Sequence, residues 1–138
     1  MSRPFTGGCA CGAVRYEVSG EPVAMVDCQC RQCQRESGTG HASHLAFHAV
    51  TVDLKGDPTH WEATGDDGTV KRRAFCPTCG SPVYMTMPAA PDVFVIRAAS
   101  LDQPERYRPD MVTWTDAAQP WDHVDPASTK FPRMPPAG

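Results

Sequence analysis

All seven cysteines of this 138-residue chain fall in three tight groups: Cys9-Ala-Cys11, Cys28-Gln-Cys30-Arg-Gln-Cys33 and Cys76-Pro-Thr-Cys79. An odd number cannot pair off completely as disulfides within one chain. Sulfurs separated by only one or two residues converge on a point, as metal ligands do. Seven divides naturally into four and three. Four thiolates close a structural zinc site, whereas three protein ligands leave a catalytic ion one position for water or substrate. The grouping therefore predicts two Zn2+ ions, one structural and one catalytic.

The outer groups provide the four. In an extended segment residues i and i+2 share a face, so Cys9 and Cys11 reach one ion together. Cys76-Pro77-Thr78-Cys79-Gly80 reads as a knuckle. Pro77 fixes the turn, and Gly80 can take the positive φ that brings backbone N–H groups toward the sulfurs. Those donors offset the negative charge of four thiolates. A clamp of this kind joins the start of the chain to its later strands, so metal binding contributes to folding.

The middle group differs in kind. Cys28 and Cys30 are spaced as on a strand, and Cys30 and Cys33 as on one helical turn. A strand running into a turn places the three sulfurs around one tetrahedral face. An ion there with an open corner binds an incoming thiol and holds it as thiolate, below its free pKa of about 8.5. Cys28, Cys30 and Cys33 are accordingly the candidate catalytic residues. The alternatives are that a histidine closes the corner, with His41, His44 and His48 as candidates, or that Cys28 or Cys33 is a buried thiol.

These groups must be carried by short strands. Ala13 to Val18 alternates apolar and polar residues, and similar runs occur at Val23 to Val26, Ser43 to Phe47, Val50 to Leu54, His60 to Ala63, Val70 to Phe75, Val83 to Met87 and Val93 to Arg97. Lys55-Gly-Asp-Pro58, Gly65-Asp-Asp-Gly68 and Met87-Pro-Ala-Ala-Pro91 separate them as turns. With 14 prolines and 11 glycines, the chain is expected to be mainly β and antiparallel, with one helical turn near Arg31 to Glu36. A single domain is expected over residues 1–138, its core about 5–122. Residues 123–138 form a Pro-rich C-terminal tail that is loose after Pro132.

Composition removes several function classes. A formal net charge of −3 and a pI near 5.9 lack the basic footprint of a nucleic-acid binder. The N-terminus has no apolar h-region, so no signal peptide is expected. The longest apolar runs, such as Val93 to Ile96, are too short to span a bilayer. Thiolate ligands need a reducing compartment, which points to the cytoplasm.

Taken in order, Gly8-Cys9-Ala-Cys11-Gly12-Ala-Val-Arg15-Tyr16, Cys28-Gln-Cys30-Arg31-Gln-Cys33 and Phe75-Cys76-Pro-Thr-Cys79-Gly80-Ser81 resemble the signature of the glutathione-dependent formaldehyde-activating family. That family includes the centromere protein V-like domains. Gln119-Pro120-Trp121 is similar to the family's late Pro-Trp element, so the likeness runs from about Phe5 to Trp121. Asp110-Met111-Val-Thr-Trp114 departs from it, standing where a histidine often precedes that element. The resemblance implies a β-tent of short antiparallel sheets stapled by a structural zinc on Cys9, Cys11, Cys76 and Cys79. It places a catalytic zinc on Cys28, Cys30 and Cys33.

The activity it implies is that of a carbon–sulfur lyase, forming or cleaving S-hydroxymethylglutathione, or acting on a related adduct of a small thiol and an aldehyde. The alternative is a non-catalytic, zinc-scaffolded binding module of the same fold. Glutathione carries two carboxylates, so cations should stand near the open triplet. Arg31 and Arg35 flank it and are the candidate glutathione contacts; the alternative is that both are solvated charges. Lys71-Arg72-Arg73 is another candidate patch, although on an alternating strand such a run is more often a solvent face. Trp61, Trp114 and Trp121 are expected to fill the core or cover sheet edges.

Overall fold

Alternation of buried and half-buried residues begins at Phe5 in the computed structural model, which describes residues 3–135. Its strands are β1 (Phe5–Gly8), β2 (Arg15–Ser19), β3 (Ala24–Cys28), β4 (Ala42–His48), β5 (Thr51–Lys55), β6 (Thr59–Thr64), β7 (Val70–Phe75), β8 (Pro82–Thr86), β9 (Val93–Arg97), β10 (Met111–Thr113) and β11 (Thr129–Lys130). The helix α1 spans Arg31–Ser37. Each strand read from the sequence is present within a residue or two, and so is the helical turn. The chain is mainly β. Among the described residues, no helix is long and apolar enough to cross a membrane.

The strands form two sheets, ordered β1-β2-β5 and β11-β10-β3-β4-β9-β8-β7-β6. Their apolar faces meet in one core, in which Leu45, Phe47, Val18, Val83 and Ile96 are fully buried. Burial of side chains of this size stabilises the fold by about 1.5–3 kcal/mol each. Phe5 and Phe47 meet edge to face at 5.4 Å, which ties β1 of the small sheet to β4 of the large one.

Three expectations need correction. The large sheet is not wholly antiparallel, because β10 runs parallel to both β3 and β11. β1, β10 and β11 are too short, or too poor in alternation, to show a strand period. The segment past Pro132 is still tied down at its start. Phe131 N–H donates to Val112 O at 2.9 Å, Asp116 N–H to Pro132 O at 3.1 Å, and Trp114 N–H to Arg133 O at 3.3 Å. Residues 136–138 of the expected tail lie outside the described residues.

The tryptophans also depart from a core role. Trp61 and Trp121 are exposed, and the core is filled by aliphatic residues, phenylalanine and tyrosine instead. Trp61 does lie on β6, the edge strand of the large sheet. In the basic run of β7, Arg72 faces solvent, but Arg73 is 1 % exposed. It is buried because α1 lies over it, with Glu36 as its partner at 2.9 Å.

Candidate metal centres

The first centre forms where the two sheets are joined. Cys9 follows β1, and Cys76 follows β7 after a register shift between Ala74 and Phe75 that redirects the chain into the knuckle. Gly80 takes φ 77°, as the sequence requires, and its N–H closes the turn on Cys76 O at 2.8 Å. The ligand atoms of Cys9, Cys11, Cys76 and Cys79 all lie within 4.8 Å of one another. In a tetrahedron with Zn–S of about 2.3 Å, sulfurs stand about 3.8 Å apart. The Cys9–Cys11 and Cys11–Cys76 sulfur distances are both 3.7 Å. All seven cysteines are free.

Backbone donors approach these sulfurs: Val14 N–H reaches Cys9 Sγ at 3.3 Å, and Thr78 N–H reaches Cys76 Sγ at 3.4 Å. The Ser81 hydroxyl and N–H pull the Cys79 thiol down to about 5. The arrangement suits four thiolates around one cation.

The second centre sits where β3 runs into α1. Cys28 ends the strand, Cys30 is the N-cap of the helix, and Cys33 is in its first turn, so one strand-to-helix corner carries all three. Cys33 N–H donates to Cys30 Sγ at 3.3 Å, and Gly38 ends the helix at φ 79°. The three ligand atoms lie within 4.8 Å of each other, with Cys28 and Cys33 buried and Cys30 half-buried. Hydrogen bonds from the Cys28 and Cys33 thiols hold Cys30 down, to about 2, and the same sharing pushes Cys28 and Cys33 up. Thiolates this close repel one another, so the corner favours a cation among them.

No histidine completes this set. His48 is exposed, and His41 turns its Nδ1 to Asp122 at 2.9 Å. His44 comes nearest, with Nε2 3.4 Å from Cys33 Sγ, yet it stands outside the group whose ligand atoms are mutually close. Its other ring nitrogen, Nδ1, faces Arg97 Nη1 at 2.5 Å. A guanidinium only donates, so Nδ1 must accept and Nε2 carries the hydrogen. An Nε2–H cannot ligate a metal. Burial, with Arg97 and Arg73 nearby, holds His44 well below the usual histidine range and keeps the ring neutral.

The C-terminal segment walls the site on another side. Trp114, held at φ 60°, packs with Cys30 against Cys28, Cys33 and Ala42. Gln34, buried on α1, donates to Gln29 O at 2.8 Å and to Ala117 O at 2.9 Å, and accepts from Gln119 at 3.2 Å. Gln29 in turn donates to Asp122 at 2.9 Å. Sequence reasoning missed Gln34, Glu36, Arg97 and Asp122. Only Arg97 leaves a signal, as a charge that continues the apolar run Val93 to Ile96 on a buried strand.

Of the two expected glutathione contacts, Arg31 is exposed on α1 and donates to Gln34 Oε1 at 2.6 Å; Arg35 is exposed one turn further on. A surface depression of about 360 Å³ lies elsewhere, between Val52, His60, Arg72, Tyr84 and Phe94. It contains no cysteine, so the chemistry is assigned to the sulfur clusters.

The family described as glutathione-dependent formaldehyde-activating enzyme matches residues 4–117. A curated protein of Halomonas elongata, named "Putative glutathione-dependent formaldehyde-activating enzyme", is 32 % identical over 101 residues, which is 70 % of this chain. The chain spans 64 % of that relative's length. In fold, the chain is similar to the crystal structure of a Rhodobacter sphaeroides protein, with a TM-score of 0.55 and 19 % identity over 91 % of this chain and 98 % of the other.

Proposed function

The chain belongs to the glutathione-dependent formaldehyde-activating enzyme family, and on that premise we propose that it is a zinc-dependent carbon–sulfur lyase acting on glutathione adducts. The reaction joins a thiol sulfur to an aldehyde carbon while the thiol proton passes to the carbonyl oxygen, or runs in reverse. S-Hydroxymethylglutathione, or a related adduct of a small thiol, is the proposed substrate.

The observation that carries this reading is the incomplete ligand set. Cys28, Cys30 and Cys33 converge within 4.8 Å, no fourth side chain among the described residues joins them, and Cys30 is half open to solvent. A zinc ion held by these three sulfurs would supply Lewis acidity and lower the pKa of a thiol at its fourth position. Cys28 and Cys33 anchor the site from inside, and Cys30 borders its mouth. Arg31 and Arg35 stand on the exposed side of α1 to meet the carboxylates of the thiol. Trp114 packs against Cys28, Cys33 and Ala42 and forms an apolar wall of the site. Cys9, Cys11, Cys76 and Cys79 hold the structural zinc. Seven unbridged cysteines fit a reducing compartment, and we place the protein in the cytoplasm.

Calorimetric titration of the zinc-loaded protein with glutathione tests the proposal. Saturable binding with proton release is expected for the wild type and its loss for Cys30→Ser, with the fold retained through the four-cysteine site. Equal affinities would assign the protein to the non-catalytic, zinc-scaffolded modules.

A further inference from the structure

Beneath the three-cysteine centre lies a buried ionic group with unequal charges. Arg73 of β7 and Arg97 of β9 both pair with the carboxylate of Glu36 on α1, Arg73 at 2.9 Å. The side chains of Arg73, Glu36 and Arg97 are 2 %, 7 % and 7 % exposed. Among the described residues, Glu36 is the only carboxylate within salt-bridge distance of either guanidinium. The group therefore buries one net positive charge. An unmatched buried charge is strongly unfavourable unless an opposite charge faces it.

The face it presents is His44. Arg97 donates to Nδ1 of that ring, and Nε2 lies 3.4 Å from Cys33 Sγ. Three thiolates around a divalent ion sum to one negative charge, which equals the surplus below.

We infer that Arg73, Glu36, Arg97 and His44 are the counter-charge of the three-thiolate site, with His44 a positioning residue that donates its Nε2–H to Cys33. The ring's direction follows from its neighbour, because Arg97 has no lone pair to offer and fixes Nδ1 as the acceptor. A sulfur that accepts such a bond gives less electron density to a metal. The ion is then left more acidic toward a thiol arriving at the open corner beside Cys30. The relay also orients Cys33, the sulfur deepest in the corner, with Arg97 buttressed by Glu36 from α1 itself. One helix thus carries two of the sulfurs, at its N-cap and first turn, and the carboxylate that anchors their counter-ions.

This inference rests on the three-thiolate reading proposed above, and its test separates the two. A protein that binds one zinc per chain would remove the reading itself. In protein carrying two zinc ions, long-range imidazole 1H–15N spectra of the wild type should show His44 as the neutral Nε2–H tautomer. An Nδ1–H tautomer, a doubly protonated ring or a metal-bound Nε2 would overturn the inference.

Variants give a second arm. His44→Gln can accept from Arg97 with its oxygen and donate to Cys33 with its amide, whereas His44→Phe can do neither. Zinc release from the three-cysteine site to a chelator should quicken roughly ten- to a hundredfold in His44→Phe and return near the wild-type rate in His44→Gln. The zinc of the four-cysteine site, retained in both, reports that the fold is intact. Wild-type release from a folded His44→Phe, or equal losses in the two variants, would overturn the inference. Should His44→Phe fail to fold, the tautomer measured in the wild type decides alone.

Discussion

His41 Nδ1 lies 2.9 Å from the carboxylate of Asp122, and this contact fastens the C-terminal segment to the start of β4. Asp122 also accepts from Gln29 at 2.9 Å, beside the cysteine corner. The late segment is therefore part of the site's wall, held by Gln29 just after β3, His41 just before β4 and Gln34 on α1.

The closeness of that contact makes Gly40 a sensitive position. A Cβ on Gly40 would come within 2.3 Å of Asp122 Cβ and Cγ. Gly40→Ala should displace the segment and destabilise the protein by about 1–3 kcal/mol, the usual cost of an overpacked contact. Urea unfolding measures it, and an unchanged midpoint would contradict the contact.

The same carboxylate gives a pH dependence with a definite sign. Burial alone would raise Asp122, but hydrogen bonds from Gln29 and His41 outweigh it and hold the group below the usual carboxylate range. A depressed folded pKa contributes stability that is complete above the unfolded value of about 3.9 and is lost as pH falls through the folded value. The stability gap between wild type and Asp122→Asn should therefore be constant near neutrality and close below about pH 4. Unfolding curves at several pH values would show it; a gap that persists in acid would refute the assignment.

Cys76→Ser removes a buried ligand from the four-cysteine centre. If a zinc ion there couples binding to folding, the variant should bind one zinc fewer and melt at least ~5 °C lower. Metal analysis with calorimetry tests both. A cooperative variant with full zinc content would contradict the ligand set.

Arg31→Ala probes charge recognition at the open centre. If its guanidinium meets a carboxylate of glutathione, the Kd should rise roughly three- to tenfold, the range for a single partly exposed charged contact. Binding of 2-mercaptoethanol, which has no carboxylate, should change less than about twofold. Equal losses for both thiols would assign Arg31 to holding Gln34 instead.

The sequence displayed what is local. Ligand spacing and period-2 alternation are properties of neighbouring residues, so both sulfur centres and most strands could be read directly. Partnerships formed by topology could not. Arg73 has the surroundings of a surface residue on β7 until α1 is laid over it, and Glu36 looks like any helix carboxylate until β9 brings Arg97 beneath it. His44 is the instructive case. Its nearness to Cys33 suited a ligand, and only Arg97, 53 residues away, decides which nitrogen carries the hydrogen. β10 was hidden for a related reason: three residues carry no period, and their strand character comes from β3 and β11 on either side.

The four-cysteine centre also sets a schedule for biosynthesis. Cys11 and Cys76 are 65 residues apart, so the first two sulfurs leave the ribosome well before their partners. At roughly 5–20 residues per second that interval is about three to thirteen seconds. Throughout it Cys9 and Cys11 are an exposed thiol pair on an unfinished sheet, open to oxidation or to capture by a stray metal. If zinc closes this centre, the newborn chain would depend on the reducing power and zinc supply of its surroundings before it has a fold to protect.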